Sequence, residues 1–271
     1  MARVTVCIPV YNGMPYVAPA VDSVLAQTFG DFELFVIDNQ STDGTVAALR
    51  RYGDKRLRVL VNDRNLGAEG NWNRALELSS APYFKLLCAD DLLRRDCLER
   101  QVAVLDAPGN ERIGMVSCAR DVIDPDGRVL LRRGPRKKRR IDGKRAIRQT
   151  VRAGANLLGE PGAVLLRAEA VRQAGRFDGA HPYLIDLDYW CRVLMHWDLY
   201  LDPEPLASFR VSPAQWSVAV AGSQGRDFAG FVDKLRAAGA PLNAAESAWG
   251  KARGYANGVL RQLFYKLKFG T

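Results

Sequence analysis

The chain has 271 residues, 48% hydrophobic and 25% charged, with 39 basic against 30 acidic side chains and a net charge of +9. That length suits one large domain or a main domain with an appendage, and the ordinary apolar content excludes a disordered or fibrous chain. The basicity is local, because Arg132, Arg133, Arg136, Lys137, Lys138, Arg139 and Arg140 supply most of it; the nearly balanced remainder argues against a nucleic-acid-binding module.

Residues 4–10 predict a strand and 16–27 a helix. Ile8 follows a short charged N-terminus with Pro9 and Asn12 close behind, so no signal-peptide core is expected, and no apolar run is long enough to span a bilayer. Pro9 and the Asn12-Gly13 turn direct the chain away from the sheet. That places Tyr11 at the sheet edge, where its ring could lie against a nucleobase. Residues 32–38 form the second strand, and Leu34, Phe35, Val36 and Ile37 run straight into Asp38. A carboxylate there accepts hydrogen bonds from ribose hydroxyls or a base N–H. Ser41, Thr42 and Asp43 read as caps of a helix over 45–51, which leaves Asp38 unexplained.

A third strand over 57–61, a helix over 70–79, a fourth strand over 83–87, a helix over 96–106 and a fifth strand over 113–119 continue the rhythm. Such alternation specifies an α/β fold with a largely parallel sheet covered on both faces. The fourth strand runs into Cys88-Ala89-Asp90-Asp91. Adjacent carboxylates repel and are costly to desolvate unless a cation stands beside them. Mg²⁺ or Mn²⁺ fits, since both prefer oxygen ligands and leave places for phosphates, and the end of a strand is where open α/β sheets bind ligands. The five cysteines are scattered without CxxC spacing and read as buried thiols of a cytosolic protein.

After residue 120 the pattern changes. Pro125-Asp126-Gly127 signals a hairpin tip, and the basic run that follows reads as a solvated loop or as a patch for anionic lipid head groups. No aromatic residue interleaves it, which disfavours single-stranded nucleic acid. A helix over 143–153, a strand over 163–167, a helix over 186–196 and a strand over 206–211 follow, with helices from about 225. Residues 259–269 are amphipathic and basic, and read as a packed terminal helix or as an interfacial one. The expected organisation is a domain over 1–215, with halves meeting near 120, and a helical extension over 216–271.

Three segments, from Val6 to Gly13, from Ser23 to Phe29 and from Phe32 to Thr45, together resemble the N-terminal half of family 2 glycosyltransferases. Asn65-Leu66-Gly67 and Ala89-Asp90-Asp91 follow in the same order, and the likeness is strong over residues 3–105 and traceable to 210. The resemblance implies a GT-A fold: one Rossmann-like α/β domain joining nucleotide and acceptor halves. It implies that Pro9, Tyr11 and Asp38 hold a uridine-like nucleoside, with Asn39, Asn65 and Gly67 on the same side. Asp91 would bind the cation that bridges the diphosphate, and Asp90 would face ribose or sugar. Asp186, in Ile185-Asp186-Leu187-Asp188, matches the usual general base, with Asp188 as the alternate. Glu160, in Gly159-Glu160-Pro161-Gly162, would contact substrate. Trp190 would line the acceptor pocket or belong to the core.

Several positions depart from the family pattern. Asn39 stands where a second Asp is common, Trp72 where an Arg is common (leaving diphosphate contacts to Arg74 or elsewhere), Ile185 where an acid is usual, and Ser212 where a His often stands. The implied activity is inverting, metal-dependent transfer of a sugar from a UDP-sugar, or a dTDP-sugar, to an acceptor hydroxyl. The acceptor would be a glycan or lipid-linked glycan in surface polysaccharide, lipopolysaccharide or glycoprotein assembly. The implied setting is cytoplasmic, at the inner face of the membrane. A decayed relative that only binds a sugar nucleotide or carbohydrate is the alternative. Nucleotidyltransferase and NAD-binding readings fail because no Gly-rich phosphate loop follows the first strand.

Overall fold

The computed structural model describes residues 2–212 and 221–269. Three strand–helix units open the chain: β1 (Val4–Val10), α1 (Val17–Leu25), β2 (Phe32–Asp38), α2 (Thr45–Leu49), β3 (Leu57–Val61) and α3 (Gly67–Leu78). Next come β4 (Tyr83–Leu86), the short β5 (Leu92–Leu93), α4 (Cys97–Asp106), β6 (Ile113–Ile123), β7 (Val129–Arg133), β8 (Arg139–Ile141) and α5 (Gly143–Ala153). The chain continues through β9 (Val164–Arg167), α6 (Ala168–Ala174), α7 (Ile185–Leu194), β10 (Asp198–Arg210), α8 (Gln224–Ala237) and α9 (Ala244–Phe269).

All strands join one sheet of order β3-β2-β1-β4-β9-β6-β10-β5, with β7 beside β6 and β8 beside β10. β1 is parallel to both β2 and β4, and every one of its residues is buried. Strands covered on both faces are near-continuously apolar rather than alternating, which is what Val4 to Val10 supplies apart from Thr5, whose hydroxyl donates to Glu33 Oε1 at 2.8 Å. One face carries α1, whose Val17, Ala20, Val21 and Val24 form a single apolar stripe. The opposite face carries α5, α7 and α8, where Phe177 stacks on Tyr189 with ring centroids 4.1 Å apart. Because β1, β2 and β4 run in parallel, their carboxyl ends open at one edge of the sheet, bringing Tyr11, Asp38 and the Cys88–Asp91 turn together there.

The second half departs from the parallel pattern. β9 runs antiparallel to both β4 and β6, while β10 lies parallel to β6. Two strands are longer than their sequences suggest: β6 reaches Ile123, and the expected strand over 206–211 is the end of β10, which begins at Asp198. Asp202-Pro203-Glu204-Pro205 disguises its first half, and register shifts between Asp202 and Pro205 and between Pro205 and Ala207 let the prolines sit in the sheet. The basic run is no simple loop either. Arg132 and Arg133 end β7, paired with β6, and Arg139 to Ile141 form β8 on β10. Ion pairs of Arg132 with Asp121 and of Arg140 with Asp198, each 2.8 Å, make those strands tolerable for arginine.

Phe228, Phe231, Val232 and Leu235 of α8 share the apolar cluster of α7. α9 packs across α5 and α8 through glycine: a Cβ on Gly254 would stand 2.5 Å from Phe228 Cδ1. In the basic, amphipathic tail anticipated over 259–269, Val259, Leu260 and Leu263 are exposed, and the side chains from 264 onward lie outside the described ones. No described helix is long and apolar enough to cross a membrane.

Candidate active site

A cavity of about 1230 Å³ opens at the carboxyl edge of β1, β2 and β4. Its walls bring together Pro9, Tyr11, Asn39, Asn65, Gly67, Cys88, Asp90, Glu160 and Asp186, residues far apart in sequence. Asp38, Asp91, Asp188 and Trp190 stand behind those walls, not on them.

On the nucleotide side, the loops after β1 and β2 brace each other. Asn12, at a left-handed φ of 51°, donates its backbone N–H to Ser41 Oγ (2.8 Å) and accepts the Thr42 N–H on Oδ1 (2.8 Å). Gly13 N–H donates to Thr45 Oγ1 (2.9 Å) and Met14 N–H to Asp43 Oδ2 (2.8 Å). The polar cluster expected only to cap α2 thus fixes the loop that presents Tyr11, whose ring is 54% exposed. Asp38 is fully buried; its Oδ2 accepts the Ser41 N–H at 2.9 Å, while Oδ1 has no donor among the described residues.

Asn39 corrects an expectation. Its Nδ2 donates to Asn65 Oδ1 (2.9 Å) and Gly67 O (3.2 Å), and its Oδ1 accepts from Asn62 Nδ2 (3.0 Å) and Leu66 N–H (2.9 Å). That uses the whole capacity of an amide, so Asn39 holds the 65–67 turn in place and is not free for a nucleobase. Asn62 and Asn71 complete the net, Asn71 donating to Ile37 O at 3.0 Å. Arg74 pairs with Glu77 at 3.0 Å and does not reach the cavity. Trp72 stands edge-on to Phe177, centroids 5.2 Å apart. The cationic side chains on the walls include Arg120, Arg133 and Arg139 instead.

The paired carboxylates sit at different depths. Asp90 is on the wall, whereas Asp91 is 1% exposed and accepts the Arg210 N–H at 2.9 Å. Arg210 is a residue that sequence reasoning missed. It donates Nε–H to Asp90 O and Nη1–H to the carbonyls of Asp124 and Pro125, each at 2.9 Å, so it ties the carboxylate turn to the β6–β7 hairpin tip. Burial raises the pKa of both acids, Asp91 well above its ordinary value because the Asp90 charge adds to the burial. A divalent cation fits such a place: it would keep both groups ionised, and donor atoms of Cys88, Asp90 and Asp91 lie within 4.8 Å of one another. Ser212, in place of the imidazole common in the family, is also on the wall and offers only a hydroxyl.

On the other side, Asp186 lies in the first turn of α7. Its Oδ2 accepts from Asn156 Nδ2 (3.1 Å) and its Oδ1 from the Leu187 N–H (2.7 Å). Burial, then the Glu160 charge, push its pKa up to about 7. Glu160 forms an ion pair with Arg120, which is 4% exposed. Burial pushes Glu160 up, but the charge and hydrogen bonds of Arg120 outweigh it and hold the carboxyl below its ordinary value.

Two of the candidates face away from the cavity. Asp188 is 1% exposed and locked between Arg192 Nε (2.9 Å) and Lys234 Nζ (2.7 Å), because two residues along a helix point it away from Asp186 and into α8. Trp190 is 1% exposed and donates Nε1–H to Gly159 O at 3.0 Å; it takes the core alternative, securing the Glu160 turn from behind, and is not on the wall of this cavity. Asn156, which nothing in the local sequence marks, holds both Asp186 and the same Gly159 carbonyl.

Residues 5–173 match Glycosyl transferase family 2. An uncharacterized glycosyltransferase of Rickettsia typhi is 29% identical over 216 residues, covering 78% of this chain and 65% of that relative, so the chain spans less than two thirds of its length. A UDP-Glc:alpha-D-GlcNAc-diphosphoundecaprenol beta-1,3-glucosyltransferase of Escherichia coli is 32% identical over 102 residues, 38% of this chain and 40% of its own. Among solved structures, residues 1–349 of TarS from S. aureus in complex with UDP-GlcNAc match with a TM-score of 0.71 at 17% identity, over 99% of this chain and 76% of that one; this likeness concerns the fold.

Proposed function

The chain belongs to glycosyl transferase family 2, and from that premise we propose that it is an inverting glycosyltransferase that moves a sugar from a UDP-sugar to an acceptor hydroxyl. One observation carries the reading: the same cavity wall holds both Asp90 and Asp186, and burial lifts the Asp186 carboxyl to about 7. A general base works best when its pKa lies close to the working pH. Ionised Asp186 takes the acceptor's hydroxyl proton as the acceptor oxygen bonds to the anomeric carbon. The bond between that carbon and the phosphate oxygen breaks on the opposite side, and the nucleoside diphosphate leaves.

Tyr11 offers its exposed ring to the base, and a nucleoside N–H or hydroxyl would satisfy the orphaned Asp38 Oδ1. Mn²⁺ or Mg²⁺ held by Asp90 and Asp91 would neutralise charge on the departing diphosphate. Arg133 and Arg139 add positive charge on the rim. The E. coli relative's name places its acceptor on a lipid diphosphate. A comparable acceptor in surface-polysaccharide assembly suits a rim where exposed Val129, Leu130 and Leu131 adjoin Arg136, Lys137 and Lys138. That rim would rest on the anionic inner face of a membrane.

The test incubates the folded protein with UDP-, dTDP- and GDP-sugars, with and without Mn²⁺, and measures released nucleotide. Slow release of UDP that depends on Asp186 supports the reading. Binding without release would mark a decayed binder, and neither binding nor release would overturn the proposal.

A further inference from the structure

Building on the cation-binding reading above, we propose that Cys88 is a third protein ligand at that position, making a mixed sulfur–oxygen site that selects borderline divalent ions such as Co²⁺ and Zn²⁺ over Mg²⁺. Four of the five cysteines are buried, whereas Cys88 is partly exposed and stands on the cavity wall. Its Sγ belongs to the same set of donor atoms, all within 4.8 Å of one another, as carboxylate oxygens of Asp90 and Asp91. The Asp91 carboxylate keeps one oxygen open to a ligand. It is 1% exposed, yet only Oδ1 takes a hydrogen bond among the described residues. Its Oδ2 looks towards Gly162, where even an added Cβ would stand 3.9 Å away, so no side chain from that direction supplies a donor.

A hard ion such as Mg²⁺ gains little from sulfur, while the ions later in the first transition row gain a strong bond. Bonds of about 2.3 Å to sulfur and about 2.0–2.2 Å to oxygen would gather the three donors round one ion. The thiol proton passes to solvent as the sulfur binds. No CxxC or histidine pattern could reveal the site, because its ligands come from one tight turn at a strand end.

Titration of the whole protein with Co²⁺ in the presence of UDP reads the sulfur directly, since thiolate–cobalt bonding gives a near-ultraviolet charge-transfer band. The band is expected in the parent and absent in Cys88→Ser. Calorimetry should show Zn²⁺ binding weakened roughly tenfold or more in Cys88→Ser, at least the loss typical of removing a supporting partner, with Mg²⁺ binding little changed. Cys88→Asp should retain divalent binding and turn the preference towards Mg²⁺. Uptake of Mn²⁺, followed by electron paramagnetic resonance, without any cobalt–thiolate band would overturn the role of Cys88 and leave the carboxylate site standing. Parent protein that takes up neither ion with UDP would overturn both.

Discussion

The two sides of the cavity are built on different principles. On the nucleotide side, position is fixed by a close net of hydrogen bonds without ion pairs: Asn12 with Ser41 and Thr42, Met14 with Asp43, and Asn39 with Asn62, Asn65 and Leu66. On the acceptor side, charge is tuned by charge: Arg120 holds Glu160 ionised, and the Glu160 charge then helps lift Asp186. A rigid hydrogen-bonded frame suits recognition of a fixed ligand, whereas a proton acceptor requires a group whose ionised form is only moderately stable. Substitutions on the first side should therefore change binding, and those on the second should change turnover and its pH dependence.

The sharpest test of that contrast is Asp186→Asn, which should lower kcat roughly 10²- to 10⁴-fold while UDP affinity is retained, as single-turnover assays and calorimetry would show. The same contrast fixes a sign with pH. The working form of Asp186 is ionised and its pKa is lifted to about 7, so kcat/KM should fall as the pH drops below about 7. Glu160→Gln removes one cause of the lift and should move that acidic limb to lower pH; a limb that stays put would sever the link between the two acids. Asp188→Ala should behave in the opposite manner. It takes a buried carboxylate from Arg192 and Lys234, which keep the carbonyls of Ala174 and Arg176 and the carboxylate of Asp178 as partners, and should cost about 1–3 kcal/mol in thermal unfolding. Lost turnover in a stable Asp188→Ala protein would instead restore it as the base.

Smaller effects sharpen the outer limits. Lys137→Gln with Lys138→Gln should weaken sedimentation with anionic vesicles by about 1 kcal/mol per residue, and unchanged binding would remove the membrane from the acceptor side. Trp190→Phe deletes one hydrogen bond to Gly159 and should cost about 0.5–1.5 kcal/mol of stability. A much larger loss of turnover than of stability there would show that the Glu160 turn is held for catalysis.

Much of the first half was legible in the order of residues. Apolar strands ending abruptly at Tyr11, Asp38 and Asp90 announce a sheet edge that binds something, because packing alone never requires a carboxylate there. The parallel strands and the placement of Asp186 at a helix start were legible for similar reasons. β10 was only half visible, since its prolines and acids mimic a loop until bulges and the ion pair of Asp202 with Arg100 absorb them. The roles of Asp188 and Trp190 were not legible, because adjacent helical residues face different neighbours and nothing local says which neighbour is a cavity.

The sequence by itself determined the α/β class, the edge at which the site forms and the acid residues available to it. Periodicity and strand-end chemistry are local properties of the chain. Tertiary structure alone decided that Asp90 faces the cavity while Asp91 lies behind it, that Asn39 is already fully bonded, and that Arg210 and Asn156 hold the two acids in place. Those outcomes depend on which groups meet across the chain, from 23 residues apart for Asn39 and Asn62 to 119 for Asp91 and Arg210, and burial and charge act only once such groups have met.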